Sequence, residues 1–197
     1  MEPGEESKPA RARVDVAREV FEWSQMLTGG IVVVVLLFVL VFSLFTVSGP
    51  SMLDTLHDGE MLLISRLFYT PRRGDIVMFS KAGLELKDDE TGRQTPLVKR
   101  IIAIGGDHIK IIHSEGAVYL NGELLPETYI REKMTGGLYP DIIELTVSEG
   151  SVFCMGDNRN NSKDSRSLRE VGEIDSRFIL GRVLFRLTPF SKLGFVT

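Results

Sequence analysis

Serine chemistry needs a hydroxyl and a nearby base, and this chain offers both within four short polar-and-apolar segments. Ser51 lies in Ser48-Gly-Pro-Ser-Met-Leu-Asp-Thr-Leu56, directly after a long uncharged stretch. Arg73-Gly-Asp-Ile-Val-Met-Phe79 follows, then Val98-Lys-Arg-Ile-Ile-Ala-Ile-Gly-Gly-Asp107, and last Gly156-Asp-Asn-Arg-Asn-Asn-Ser-Lys-Asp-Ser-Arg166. A serine hydroxyl becomes a nucleophile only when an adjacent group takes its proton. Lys99 sits inside a strand pattern, and alternation places it on one face with Leu97 and Ile101. A lysine so placed is desolvated, and desolvation favours the neutral amine that can act as a base. The same side chain can instead carry its ammonium along apolar surface to water. The residues alone leave both readings open.

Other chemistries fare worse. His57 and Asp58 are neighbours in sequence, which rarely point at one another, and no Gly-x-Ser-x-Gly elbow is present. His57, His108 and His113 have no metal-ligand spacing, and the single Cys154 excludes an internal disulfide or a cysteine zinc site. Cys154 stands in an apolar Val-Phe-Cys-Met setting that suits a buried thiol better than a nucleophile. A net charge of −4 argues against nucleic acid, which requires a concentrated basic face. No cofactor is called for.

The elements that must position Ser51 and Lys99 can be read from hydropathy. No charged residue occurs between Glu22 and Asp54, and Ile31 to Phe45 is almost wholly apolar. A bilayer core is crossed by roughly 20 helical residues. The expected organisation is a polar tail over 1–22, a transmembrane helix over 23–47 and an outer domain over 48–197. Arg11, Arg13 and Arg18 precede the span, whereas Arg66 is the first basic residue after it. The excess of positive charge on the N-terminal side predicts a cytoplasmic N-terminus and an extracytoplasmic domain. Val47-Ser48-Gly49 loosely resembles a cleavage site, but the run is longer than a signal core, so an uncleaved anchor fits better. Residues 1–20 read as a mobile tail.

Beyond residue 48 the pattern is short β-type segments punctuated by glycine, with no helical periodicity. Strands are predicted over 60–65, 75–79, 97–104, 109–113 and 178–187. Asn121-Gly122 marks a type I′ hairpin turn within 117–125. Residues 81–95 read as an exposed charged loop, and 126–148 resist assignment. The fold expected is mainly β: an antiparallel catalytic sheet with a smaller second lobe at 113–150.

Taken together and in this order behind one N-terminal span, the four segments resemble the bacterial type I signal peptidase family, from about Gly49 to Pro189. Gly-Asp-Asn-Arg-x-x-Ser-x-Asp-Ser-Arg is the most specific of them. The resemblance implies a membrane-bound serine endopeptidase that removes signal peptides from secreted preproteins. It implies Ser51 as nucleophile, Lys99 as general base and Ser162 as the residue that orients the lysine amine. Asp164 and Arg166 would form a structural ion pair, Met52 would pack at the site, and Arg73 and Asp75 would support it. The family fold agrees with the antiparallel sheet and small lobe read above. Substrate would pair with the edges Val47–Ser51 and Leu97–Lys99, with Val47 and Val98 either walling shallow pockets or serving as ordinary core.

Three departures accompany the resemblance. Asp54 stands where the family usually has proline, and its carboxylate would raise the Lys99 pKa if close. Gly105 replaces a frequent proline at a turn. Gly49 stands where one branch of the family has an oxyanion-binding serine; adjacent Ser48 would face the other way, leaving the Ser51 backbone N–H as the chief donor. The partners implied are preprotein signal peptides, the phospholipid bilayer and a secretion translocon, at the bacterial plasma membrane. The rival readings are a catalytically silent homologue that binds preproteins or assembles a secretion complex, and a self-cleaving Ser-Lys repressor protease, which the span disfavours.

Overall fold

The computed structural model describes residues 9–67, 69–80 and 96–196. The predicted loop at 81–95 lies outside the described residues. The chain divides into two units, residues 1–41 and 42–197.

The first unit is one α-helix, α1 (Pro9–Val41). From Arg18 to Val41 it has a mean hydropathy of 2.4, and none of that stretch is buried inside protein. By length and composition it is a candidate membrane span. The helix starts earlier than the predicted boundary, so residues 9–22 of the expected tail are helical. Ala, Arg and Glu favour helix there, and Arg18 pairs with Glu22 one turn on. It also ends earlier: Phe42–Thr46, assigned to the span from hydropathy, forms a strand instead. Phe-Ser-Leu-Phe-Thr has the aromatic and β-branched content of a strand, and its backbone finds partners in a neighbouring segment.

The second unit is built on antiparallel pairs throughout its described ladders. Its strands are β1 (Phe42–Thr46), β2 (Met61–Ser65), β3 (Ile76–Phe79), β4 (Leu97–Ile104), β5 (His108–Ile112), β6 (Ala117–Leu120), β7 (Glu123–Leu124), β8 (Ile142–Thr146), β9 (Ser151–Met155), β10 (Ile174–Asp175), β11 (Ile179–Thr188) and β12 (Gly194–Phe195). The larger sheet runs β1-β2-β11-β3-β4-β9-β10, with β12 on β11, and the smaller runs β7-β6-β5-β8. The second sheet is the predicted lobe, though it begins at His108, five residues before the expected boundary at 113. Asn121 and Gly122 have φ of 52° and 88°, as a type I′ turn requires.

Alternation explains where the core lies. On β2, Leu62 and Ile64 point inward, and on β5, Ile109 and Ile111 do. One apolar cluster joins the small sheet to the main one through Ile102, Ala103, Phe153 and Met155. A second gathers Val47, Met52, Leu56, Leu62, Ile64 and Val98 around the Ser51 turn. A third packs Val77, Phe79, Ile101 and Cys154 on the other face of β3 and β4.

The pairing of β4 decides the site. It meets β3 over Leu97–Arg100 but meets β9 only from Arg100 onward. At Gly156 the chain leaves the sheet, so the β9-facing edge of Leu97–Lys99 has no ladder partner among the described residues.

Candidate active site

Ser51 sits on a tight turn between β1 and β2. Met52 and Leu56, 1% and 0% exposed, anchor that turn in the core, and the Leu56 N–H donates to the Met52 carbonyl at 2.8 Å. Gly49 has a φ of +86°, a left-handed conformation that favours glycine, and its N–H donates to Asp58 Oδ1 at 2.8 Å. That N–H is therefore occupied. The Ser51 N–H donates to nothing within the protein among the described residues.

The fourth segment clamps this turn from the other side. Asn158 donates twice, from Nδ2 to the Pro50 carbonyl and from its backbone N–H to the Ser51 carbonyl, both at 3.1 Å. Thr55 Oγ1 donates to Asp157 Oδ2 at 2.5 Å. Asp157 also receives a bidentate pair from Arg100, at 2.9 and 2.8 Å, with both side chains buried. Arg100 stacks over the Tyr129 ring 4.2 Å from its centre. Arg159, buried too, grips Glu127 through both guanidinium nitrogens.

Lys99 is only 2% exposed, and its Nζ lies 2.6 Å from Ser51 Oγ and 2.9 Å from the Val98 carbonyl oxygen. Burial lowers its pKa from 10.5 to about 8, overcoming the opposing pull of Asp164, Cys154 and Asp157. The alternative in which Lys99 snorkels to water does not hold. Asp54 is solvent-exposed and is not among the leading charges that act on Lys99, so the expected upward pull from that departure is corrected. The carboxylates that matter are buried ones from the Gly156–Arg166 segment.

Asp164 and Arg166 form the expected ion pair, bidentate at 2.8 Å for each contact and fully buried. Burial alone would raise the Asp164 pKa, but the Arg166 guanidinium and the Gly156 N–H hold it below the usual range. Arg166 also stacks over Tyr139, whose hydroxyl donates to the Ser162 carbonyl at 2.7 Å. Ser162 is 5% exposed, and among the described residues its hydroxyl makes no hydrogen bond to Lys99, so the expected orienting contact is not formed; it lies instead on the side of Asp164, whose carboxylate it helps to hold in the charged form. Gly156 packs between this serine and the nucleophile's turn: a Cβ added there would strike both the Ser162 hydroxyl and the Ser51 carbonyl oxygen.

The remaining candidates fall into place around this centre. Val47 and Val98, 4% and 7% exposed, pack in the same apolar cluster as Met52. Asp75 accepts from the Tyr69 hydroxyl at 2.8 Å and meets Arg182 at 3.1 Å. Its carbonyl receives the Ile101 N–H at 2.9 Å, bracing β4 rather than touching the lysine. Arg73 pairs with Asp107. His57 is 3.5 Å from Glu60 and has no hydrogen bond to Ser51. Cys154 is buried, which pushes its thiol pKa up and leaves it inert. Among the described residues no group of His, Cys, Asp and Glu gathers to hold a metal.

Sequence reasoning did not single out Arg100, Asp157 or Asn158, although all three lie inside the quoted segments. Glu127 and Tyr129 carried no signal, since they belong to the unassigned stretch and act only through distant arginines.

The family model described as signal peptidase, peptidase S26, matches residues 20–188. Among individual proteins, the signal peptidase I of Bacillus licheniformis is 32% identical over 187 residues, covering 88% of this chain and 91% of its own. The probable signal peptidase I-1 of Synechocystis sp. is 36% identical over 152 residues, covering 75% of this chain and 72% of its own. A crystal structure of a signal peptidase I from Enterococcus faecalis V583 aligns at 26% identity and a TM-score of 0.44, over 58% of this chain and 97% of that one. The first two likenesses and the family match extend over most of the chain, across both the Ser51 and Lys99 segments. This chain belongs to the signal peptidase family, peptidase S26.

Proposed function

We propose that the chain is a membrane-anchored signal peptidase I in which Ser51 is the nucleophile and Lys99 the general base. The observation that carries this reading is the 2.6 Å approach of a buried, pKa-lowered lysine to a serine hydroxyl. Neutral Lys99 takes the Ser51 proton as Oγ attacks the scissile carbonyl carbon. The negative oxygen that forms is met by the free Ser51 N–H, while the Gly49 N–H, bound to Asp58, is not available to help. The lysine then returns its proton to the departing amine. Water, deprotonated by the same amine, releases the acyl group from Ser51.

Substrate arrives extended and adds to the free edge of Leu97–Lys99, where β9 has ended. Val47 and Val98 lie under that edge and leave room for small side chains only. Helix α1 anchors the enzyme, with the N-terminus cytoplasmic and residues 42–197 outside, as the arginine bias before the span favours.

The test is incubation of the purified full chain with a preprotein peptide bearing Ala-x-Ala, with fragments read by mass spectrometry. A single cut after the second alanine is expected, and none from Ser51→Ala. Binding of the peptide without cleavage would return the silent-homologue reading.

A further inference from the structure

Ser162 faces two ways. On one side it abuts Gly156, which also packs against the Ser51 carbonyl, and on the other it lines a cleft of about 830 Å³ between the segments 138–140 and 160–170. That volume is in the range of a ligand site. None of the residues assigned to the signal-peptide side, Val47 to Ser51 and Leu97 to Lys99, lines it. A peptide leaves its scissile carbonyl in two directions. One is taken by the free edge of β4, so the cleft beyond Ser162 is left for the other. The geometry points to this cleft as the subsite for the first residues of the mature protein, the leaving-group side of the substrate. This inference rests on the signal peptidase reading and specifies its second half.

The lining gives the subsite a chemistry. Tyr139 is tied to the Ser162 carbonyl, so one wall and the dyad's neighbour move together. Leu138 and Leu168 are 60% and 51% exposed at the cleft, offering apolar surface to an arriving chain. Beneath them Asp164 and Arg166 cancel each other's charge. Lys163 is engaged by Glu170 at 3.0 Å, whereas exposed Arg169 has no ion pair among the described residues. Among the described residues the cleft therefore presents one uncompensated cation, and the matching substrate carries an acidic side chain at the second to fourth position after the cut. An exposed pair of this kind changes affinity by a small factor, roughly threefold.

Three peptides share one Ala-x-Ala signal side and carry Glu, Gln or Lys at the third residue after the cut. With the full-length wild-type enzyme in detergent, kcat/KM should be highest for Glu and lowest for Lys, by about threefold at each step. Arg169→Glu should reverse that order. Arg177→Glu, an exposed arginine outside the cleft lining, should leave the order as in wild type. Equal kcat/KM for all three peptides, or an order that survives Arg169→Glu, would overturn the subsite while leaving the peptidase reading intact. An order abolished equally by Arg177→Glu would reduce it to the field of the whole protein and overturn it too. No cleavage of any peptide would remove the peptidase reading and this inference with it.

Discussion

Raising the pH from 6 to 11 should titrate one buried group in this site, the Lys99 amine, and the rate should follow it. At a pKa of about 8, half of the lysine is neutral at pH 8. At its ordinary value only about 0.3% would be neutral there, so burial enlarges the competent fraction roughly 160-fold, or about 3 kcal/mol. The sign follows from the chemistry, because only the neutral amine accepts the serine proton. The logarithm of kcat/KM should climb with unit slope below pH 8 and level off between 8 and 9. It should rise about 50-fold from pH 6 to 8, and only about twofold beyond. A peptide without titrating groups, followed by fluorescence over this range, makes the measurement. A rate still climbing tenfold per unit at pH 10 would mean an unperturbed lysine and would refute the argument from burial. A limb near 6.5 that disappears in His57→Ala would refute the lysine base itself. Because Asp54 is exposed and acts little on the amine, Asp54→Asn should leave the limb in place.

The same lowered pKa carries a cost in stability. Below pH 8 the folded protein buries a charge that the unfolded chain holds in water, and the penalty fades as pH rises towards 10.5. Lys99→Met should accordingly stabilise the fold at pH 7, by on the order of 3 kcal/mol and with a higher Tm, and the gain should shrink by pH 10; a lower Tm at pH 7 would show that the amine stabilises the fold. Ser162→Ala should reduce kcat by about tenfold to a hundredfold, less than Lys99→Ala, because it packs on Gly156 beside the Ser51 carbonyl but accepts no proton; unchanged kcat would remove it from the site. Protease added to intact spheroplasts should digest residues after 60 and spare the N-terminal tail, and protection of the large unit would reverse the proposed orientation.

Much of the sheet was legible because its strands alternate cleanly. Residues 97–104 were read to the residue, and the Asn121-Gly122 turn followed from two positive φ angles that few other pairs adopt. The ends of α1 were not legible. Phe42–Thr46 is as apolar as the helix before it, and only its pairing with β2, far off in sequence, decides that it is strand. β9 was hidden for a different reason: Val152 to Met155 is buried on both faces and shows no alternation. The desolvation of Lys99 could be argued from its neighbours Leu97 and Ile101, but its approach to Ser51 could not. Forty-eight residues separate the two, and the contact depends on loops that carry no periodic signal.

Those loops also explain how the turn bearing the nucleophile forms with Asp54 in place of proline. A proline would stiffen the turn from within by fixing one φ angle. Here the turn is held from outside. Asn158 binds the carbonyls of Pro50 and Ser51, Asp157 receives the Thr55 hydroxyl, and Asp58 receives the Gly49 N–H. Asp157 is itself fixed by Arg100, the residue after the lysine, so one carboxylate ties the serine turn to the lysine strand. A shift of Asp157 would move both partners of the dyad together. The 2.6 Å separation is therefore set by a shared support rather than by the rigidity of either segment, and a flexible residue at 54 costs the site little.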